Sequence, residues 1–187
     1  MPVEAHCFAR LHMDILGPLP QATDGSKYIL LVVDSLSKWP EAFSIPNQEA
    51  TTIAKTLYRE IFTRYGAIKS IVSDRGRNFM SKLVTTLCEL FKTKRIYTSA
   101  FHPQTNSHCE RYNSFIAQSL RAYINKQHDN WPDLLPGIMM AYRLTPAGST
   151  GISPFQLLFG REMPLPFDVD VQPSLKVGKQ ADECIAQ

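Results

Sequence analysis

No apolar run in this sequence approaches the eighteen or so residues that a membrane-spanning helix needs. The longest relevant one, YILLVV from Tyr28 to Val33, is stopped by Asp34, so a soluble protein is expected. The opening MPVEAHCFAR lacks the uninterrupted apolar segment of a secretory signal, and a reducing compartment, with no secretion, is the expectation. Cysteine is sparse and scattered. Cys7, Cys88, Cys109 and Cys184 form no C-x-x-C pair, which argues against a zinc site or a disulfide framework and leaves buried or free thiols. No internal repeat, low-complexity segment or linker divides the 187 residues, and that length suits one globular domain with a sizeable core.

What is present is an uneven charge. Net charge is +3, but residues 59–95 hold nine Lys/Arg against three Asp/Glu, which makes that section +6 and the remainder −3. A basic band on a near-neutral chain suits a polyanionic partner, although many charged faces are simply solvated.

Periodicity supplies the elements. LHMDIL (11–16) reads as a short strand containing Asp14 and stopped by GPLP. YILLVVDSL (28–36), apolar on both faces, reads as a central strand, and WPEAFSI (39–45) as the third strand of an antiparallel meander. From Gln48 to Tyr65, Ile53, Ala54, Leu57, Ile61 and Phe62 recur at helical spacing, with Gly66 as a C-cap. IKSIVSD gives a fourth strand ending at Asp74, MSKLVTTLCELF a second helix and RIYTSA a fifth strand. Such alternation indicates crossovers and parallel pairing.

After HPQTN a helix of about five turns runs to Asn125, with Tyr112, Phe115, Ile116, Leu120, Tyr123 and Ile124 on one side. Glu110 falls outside that stripe, on a flank with Ser114, Ala117 and Arg121. Ser107 to Glu110 also fits a capping box, which would place Glu110 in the first helical turn. WPDLLPGIMMAYRL and SPFQLLFG read as two further helices, the second capped by Ser153 with Pro154 at its first position.

Three acids therefore occupy informative places: Asp14 within the first strand, Asp74 at the end of the fourth and Glu110 early in the long helix. A mixed sheet can bring them together. Three converging carboxylates would repel one another unless cations neutralised them, and hard oxygen donors suit Mg²⁺ or Mn²⁺. Each acid alone also has an ordinary reading: strand-end polar residue, turn aspartate, helix cap. Asp34 reads as structural, His102 and His108 as turn or surface residues, and Trp39, Phe79, Phe115 and Trp131 as core or partner contacts rather than base-stacking platforms. Candidate contacts to phosphates or base edges are Arg75, Arg77, Asn78, Lys94, Arg95, Gln104, Asn106, Asn113 and Arg121.

Fifty-nine residues separate Asp14 from Asp74 (74 − 14 = 60) and thirty-five separate Asp74 from Glu110 (110 − 74 = 36). With HMDILGPLP, VVDSLSKWPEAF, VSDRGRNF, FHPQTNSHCERYN and GISPFQLLFGREMPLP in that order, residues 10–166 resemble the catalytic core of retroviral-type integrases, specifically those of gypsy-type LTR retrotransposons. The resemblance implies an α/β, ribonuclease-H-like fold with a five-stranded mixed sheet flanked by helices. It sets a lead at 1–9, the core at 10–166 and a tail at 167–187. It further implies a polynucleotidyl transferase that trims DNA 3′ ends and joins them to double-stranded target DNA, with two Mg²⁺ or Mn²⁺ ions on Asp14, Asp74 and Glu110. A homo-oligomer, nuclear after cytoplasmic transit and without membrane contact, goes with it. Ser107, Ser114, Ala117, Arg143 and Ala147 depart from the family's usual residues, and its flanking domains lie outside these residues. The alternative is therefore a domesticated, catalytically weak nucleic-acid-binding or interaction module of the same fold.

Overall fold

The computed structural model describes residues 6–98, 103–166 and 168, with the backbone alone over 103–110. All of the expected tail except Asp168, and most of the lead, thus lie outside the described residues, as does His102. Strands β1 (Arg10–Leu16), β2 (Tyr28–Asp34) and β3 (Pro40–Ile45) form the antiparallel meander, and β4 (Ser70–Ser73) and β5 (Lys94–Tyr97) run parallel to β1. The order across the sheet is β3-β2-β1-β4-β5. This is the five-stranded mixed sheet expected from the sequence.

Alternation along β2 explains the layers, because successive side chains point to opposite faces. Leu30 and Val32 pack with Leu11, Met13 and Ile71 beneath Ile53, Leu57 and Ile61. These last come from α1 (Ala50–Thr56), a π-helical segment (Leu57–Phe62) and α2 (Thr63–Tyr65); α3 (Lys82–Leu90) adds Val84 and Cys88. Gly66 ends the run at φ 77°, a conformation that costs glycine little because it has no Cβ. On the other face Ile29, Leu31 and Val33 meet Tyr112, Ile116, Leu120, Trp131, Leu135 and Ile138, carried by α4 (Pro103–Tyr123) and α5 (Trp131–Leu144). Burying each such aliphatic side chain stabilises by about 1.5–3 kcal/mol, so both layers are anchored to one strand pair. Helix α6 (Pro154–Phe159) has its Ser153 cap, whose hydroxyl accepts from Gln156 N–H at 3.1 Å.

Several expectations change. Helix α4 begins at Pro103, four residues before Ser107, so Ser107 lies inside the helix and the capping box is not formed. Proline's fixed φ suits a first helical position, where its missing N–H costs nothing, and this start signal prevails over Ser-x-x-Glu. Glu110 consequently sits in the second turn. Tyr123, placed on the apolar stripe by periodicity, is 71% exposed at the helix end. Strand β2 stops at Asp34 rather than 36, because the Asp34 carboxylate, 1% exposed, accepts from Phe8 N–H (2.9 Å), Ser37 N–H (2.8 Å) and the Ser37 hydroxyl (2.6 Å). That closes the turn and uses Asp34 structurally. Trp39, Phe79 and Trp131 are buried. Of the described cysteines, Cys7 and Cys88 are free, and burial pushes the Cys88 thiol pKa up, which keeps it unreactive. Among the described residues no helix is long and apolar enough to cross a membrane.

Candidate active site

The register places two of the acids. Strands β1 and β4 pair Arg10 with Ser70, Leu11 with Ile71 and His12 with Val72, a constant offset of 60. Continued two residues further at the same offset, that register would set Asp14 opposite Asp74, which directly follows the end of β4. Parity fixes the face: Asp14 pairs with Leu31 across to β2, and Leu31 belongs to the layer covered by α4 and α5. Both acid positions therefore share the face that α4 covers.

Helix α4 is tied to that place by a polar contact. The Asn113 amide donates to Asp14 Oδ2 at 2.8 Å, while Ile15 N–H donates to Asp14 Oδ1 at 2.9 Å. Each carboxylate oxygen thus receives a hydrogen bond that fixes its direction. Glu110 precedes Asn113 by three residues, so the helical repeat sets the two positions one turn apart on one flank; the Glu110 side chain lies outside the described residues. Among the described residues Asn113 Oδ1 is buried without a hydrogen-bond partner, an acceptor beside Asp14 that a hydrated cation would satisfy.

Asp74 is exposed and accepts from Gly76 N–H at 2.9 Å. A Cβ on Gly76 would stand 2.7 Å from Asn78 Oδ1 and 3.1 Å from Asp74 Oδ1, so a side chain here would displace the Asn78 amide and press on the Asp74 carboxylate. Carboxylate oxygens from two strands are a donor set suited to Mg²⁺ or Mn²⁺. Among the described residues no three metal-ligating side chains cluster, and Glu110's side chain is not among those described.

The remaining candidates separate. Arg75 and Arg77 are exposed on the turn after Asp74, and Lys94 is exposed on the edge strand β5. Asn78 reaches Gln48 Oε1 at 3.4 Å. Arg95 is turned inward: its guanidinium donates to Thr85 Oγ1 at 3.0 Å and to Phe79 O, and lies 4.9 Å from the Tyr97 ring. It ties α3 and the Asp74 turn to β5. Gln104 and Asn106 belong to the first turn of α4, with side chains outside the described residues. Arg121 is exposed eight residues beyond Asn113, about 12 Å along the helix.

Two roles were missed by sequence reasoning. Asn113 holds Asp14, and its spacing of three from Glu110 was the available signal. Arg143 latches α5 onto β3, donating to Pro40 O at 2.8 and 3.2 Å and to Glu41 Oε2 at 2.7 Å, with its guanidinium 4.1 Å from the Trp39 ring. Glu41 also accepts from Arg64 (3.1 Å), the Trp39 indole (3.2 Å) and the Tyr65 hydroxyl. Burial, then the Glu41 contact, pushes the Tyr65 hydroxyl pKa well up, so it stays a donor.

A mixed five-stranded sheet in order 3-2-1-4-5, with one acid inside β1, a second directly after its parallel neighbour β4 and a long helix packed on the sheet, defines the ribonuclease-H-like class. The family model described as "Integrase core domain" matches residues 5–103, and the chain belongs to that family. The retrovirus-related Pol polyprotein from transposon 412 of Drosophila melanogaster is 30% identical over 161 residues, covering 86% of this chain and 13% of that protein. The Gag-Pol polyprotein of feline leukemia virus is 33% identical over 150 residues, covering 79% and 9%. The chain thus spans a small fraction of the length of the curated relatives it matches. The catalytic core domain of BIV integrase shares the fold, with a TM-score of 0.64 at 20% identity over 81% of this chain and 94% of that one.

Replacing Asn113 with Ala should leave Asp14 without its amide donor and lower metal-dependent activity by about 10–100-fold, the usual cost of losing a group that orients a metal ligand. Asn113→Asp, which cannot donate in its ionised form, should be at least as damaging. A metal titration of activity checks this: the variant's requirement for Mg²⁺ should rise. An unchanged titration would show that Asp14 needs no holder.

Proposed function

We propose that the chain is a metal-dependent polynucleotidyl transferase that processes DNA 3′ ends and joins them to double-stranded DNA. What supports this reading is the Asn113 amide on α4 donating to Asp14, together with a β1–β4 register whose offset of 60 is that between Asp14 and Asp74. Asp14, Asp74 and Glu110 would hold the divalent ions. The chemistry supplied by Mg²⁺ or Mn²⁺ when bound is activation of the attacking oxygen and neutralisation of charge on the phosphate and leaving oxygen.

The chain's own residues position the rest. Asn113 and Ile15 N–H aim Asp14, Gly76 N–H aims Asp74, and Arg95 braces the Asp74 turn from below. Arg75 and Arg77, exposed on the turn after Asp74, offer phosphate contacts that fix the strand without reading its sequence, whereas Lys94 stands at the far end of β5, level with Ser70. In-line attack at the phosphorus then needs a water for trimming, or the 3′ hydroxyl for joining, as the nucleophile; the broken bond leaves a 3′ oxygen, which takes up a proton. A homo-oligomer acting on DNA in the nucleus, reached through the cytoplasm, accords with this substrate.

The test is incubation of the chain with a labelled branched DNA and Mg²⁺ or Mn²⁺, with products resolved by length. Strand exchange that stops on chelation is expected. Salt-sensitive DNA binding without any metal-dependent product would instead favour the alternative, a catalytically weak module of the same fold, for which the departures at Ser114 and Ala117 on α4 speak.

A further inference from the structure

An apolar cavity of about 270 Å³ opens between the end of β1, the loop that follows it and the second half of α4. Leu16 and Leu19 form one wall, Ala117, Leu120 and Ile124 the other, and Trp131 contributes the floor. Trp131 is fully buried with its indole N–H already donated to Pro20 O at 2.9 Å. The floor thus presents no free donor.

The cavity adjoins the acid site. Leu16 follows Asp14 by two residues on the same strand face, about 6.6 Å at ~3.3 Å per residue. Ala117 follows Asn113 by four residues, about 6 Å along the helix. A strand with ~3.4 Å rise per nucleotide that passes Asp14 therefore reaches the cavity mouth within a step or two.

The charge at that mouth selects the occupant. Arg121 and His128 both line the cavity and are exposed, and among the described residues no Asp or Glu lines it. Arg121 makes no hydrogen bond, ion pair or ring contact among the described residues. An apolar slot with an uncommitted cation at its rim fits a flat, weakly polar group attached to an anion. A second copy of this chain would need a contact of about 800 Å² on each partner, far more than this slot presents, and a neutral apolar molecule would leave the arginine unused.

We propose that the cavity is a nucleobase subsite, taking one unstacked base from the DNA strand that runs past Asp14 while Arg121 pairs with the adjoining phosphate. The inference rests on the DNA-joining reading above. Its size, about that of a single purine or pyrimidine ring system with its sugar edge, limits occupancy to one base. The apolar walls replace the stacking that the base gives up, and recognition tolerates sequence because every base has a flat face.

The experiment places 2-aminopurine, whose emission rises when it is unstacked, singly at successive positions near the reacting phosphate and measures emission on binding to the full chain. The expected result is a several-fold rise confined to one position or two adjacent ones. Ala117→Leu, which fills the slot from α4, should abolish that rise while leaving the affinity for plain duplex unchanged. Arg121→Gln, a surface change that spares folding should the first variant misfold, should diminish the rise and lower the salt slope of binding by about one. Binding and joining with flat emission at every position would overturn the subsite and leave the transferase reading standing, as would a rise that persists in both variants. A wild-type chain that neither binds nor joins DNA would overturn the transferase reading and the subsite together.

Discussion

Asp74→Asn should lower metal-dependent DNA joining about a thousandfold or more without unfolding the chain. Metal-ion stabilisation of a phosphoryl-transfer transition state is worth several kcal/mol, and each ~1.4 kcal/mol is a factor of ten. Asp74 sits on the solvent side of the turn, and its hydrogen bond from Gly76 N–H is one that an asparagine oxygen can equally accept. Its melting temperature without metal should therefore match that of the wild type. Adding Mg²⁺ or Mn²⁺ should raise the melting temperature of the wild type by mass action on the folded state and leave that of the variant nearly unmoved. Activity assays and thermal unfolding with and without metal check both halves. An undiminished metal-induced shift in the variant would place the ion elsewhere.

The second large effect falls on stability and lies away from the acids. Arg143→Ala should destabilise the fold by about 3 kcal/mol, the lower end of the ~3–5 kcal/mol seen when one partner of a buried ion pair is removed. The lower end applies because Glu41 keeps Arg64 at 3.1 Å and the Tyr65 hydroxyl. What is lost is the 2.7 Å bond to Glu41 Oε2, both bonds to Pro40 O and the packing over Trp39. Urea unfolding measures it. The double variant Arg143→Met with Glu41→Gln should recover part of the loss, since it leaves no buried carboxylate short of a cation. A single-variant loss under about 1 kcal/mol, the worth of a surface pair, would mean that solvent reaches this network freely.

Much of this was legible in the sequence, for reasons that are local. β2 announces itself because Ile29 to Val33 are apolar on both faces, which only a strand covered on both sides requires. Once β1 and β4 are neighbours, the separation of Asp14 from Asp74 by 60 positions is the strand register itself, since His12 pairs with Val72 at that same offset. The start of α4 was not legible, because Pro103 and Ser107 are both valid start signals and local pattern alone cannot choose between them. Arg95 was read with the DNA-facing cations; in a strand of four residues, alternation is too short to show which side chains turn inward. The joint between Arg143 and Glu41 spans 102 positions, and a contact so distant leaves no trace in periodicity.

Asp14, Asp74 and Glu110 are proposed to form one metal site, and a titration of Mn²⁺ followed by loss of the free-ion paramagnetic signal tests this directly. Wild type, Asp14→Asn, Asp74→Asn and Glu110→Gln would be compared at equal concentration, each verified as folded. The expected result is saturable binding by the wild type that is strongly weakened in each of the three variants, because each removes an anionic oxygen ligand from the same ions. Saturable binding of wild-type strength in any one of them would contradict the account and remove that residue from the site.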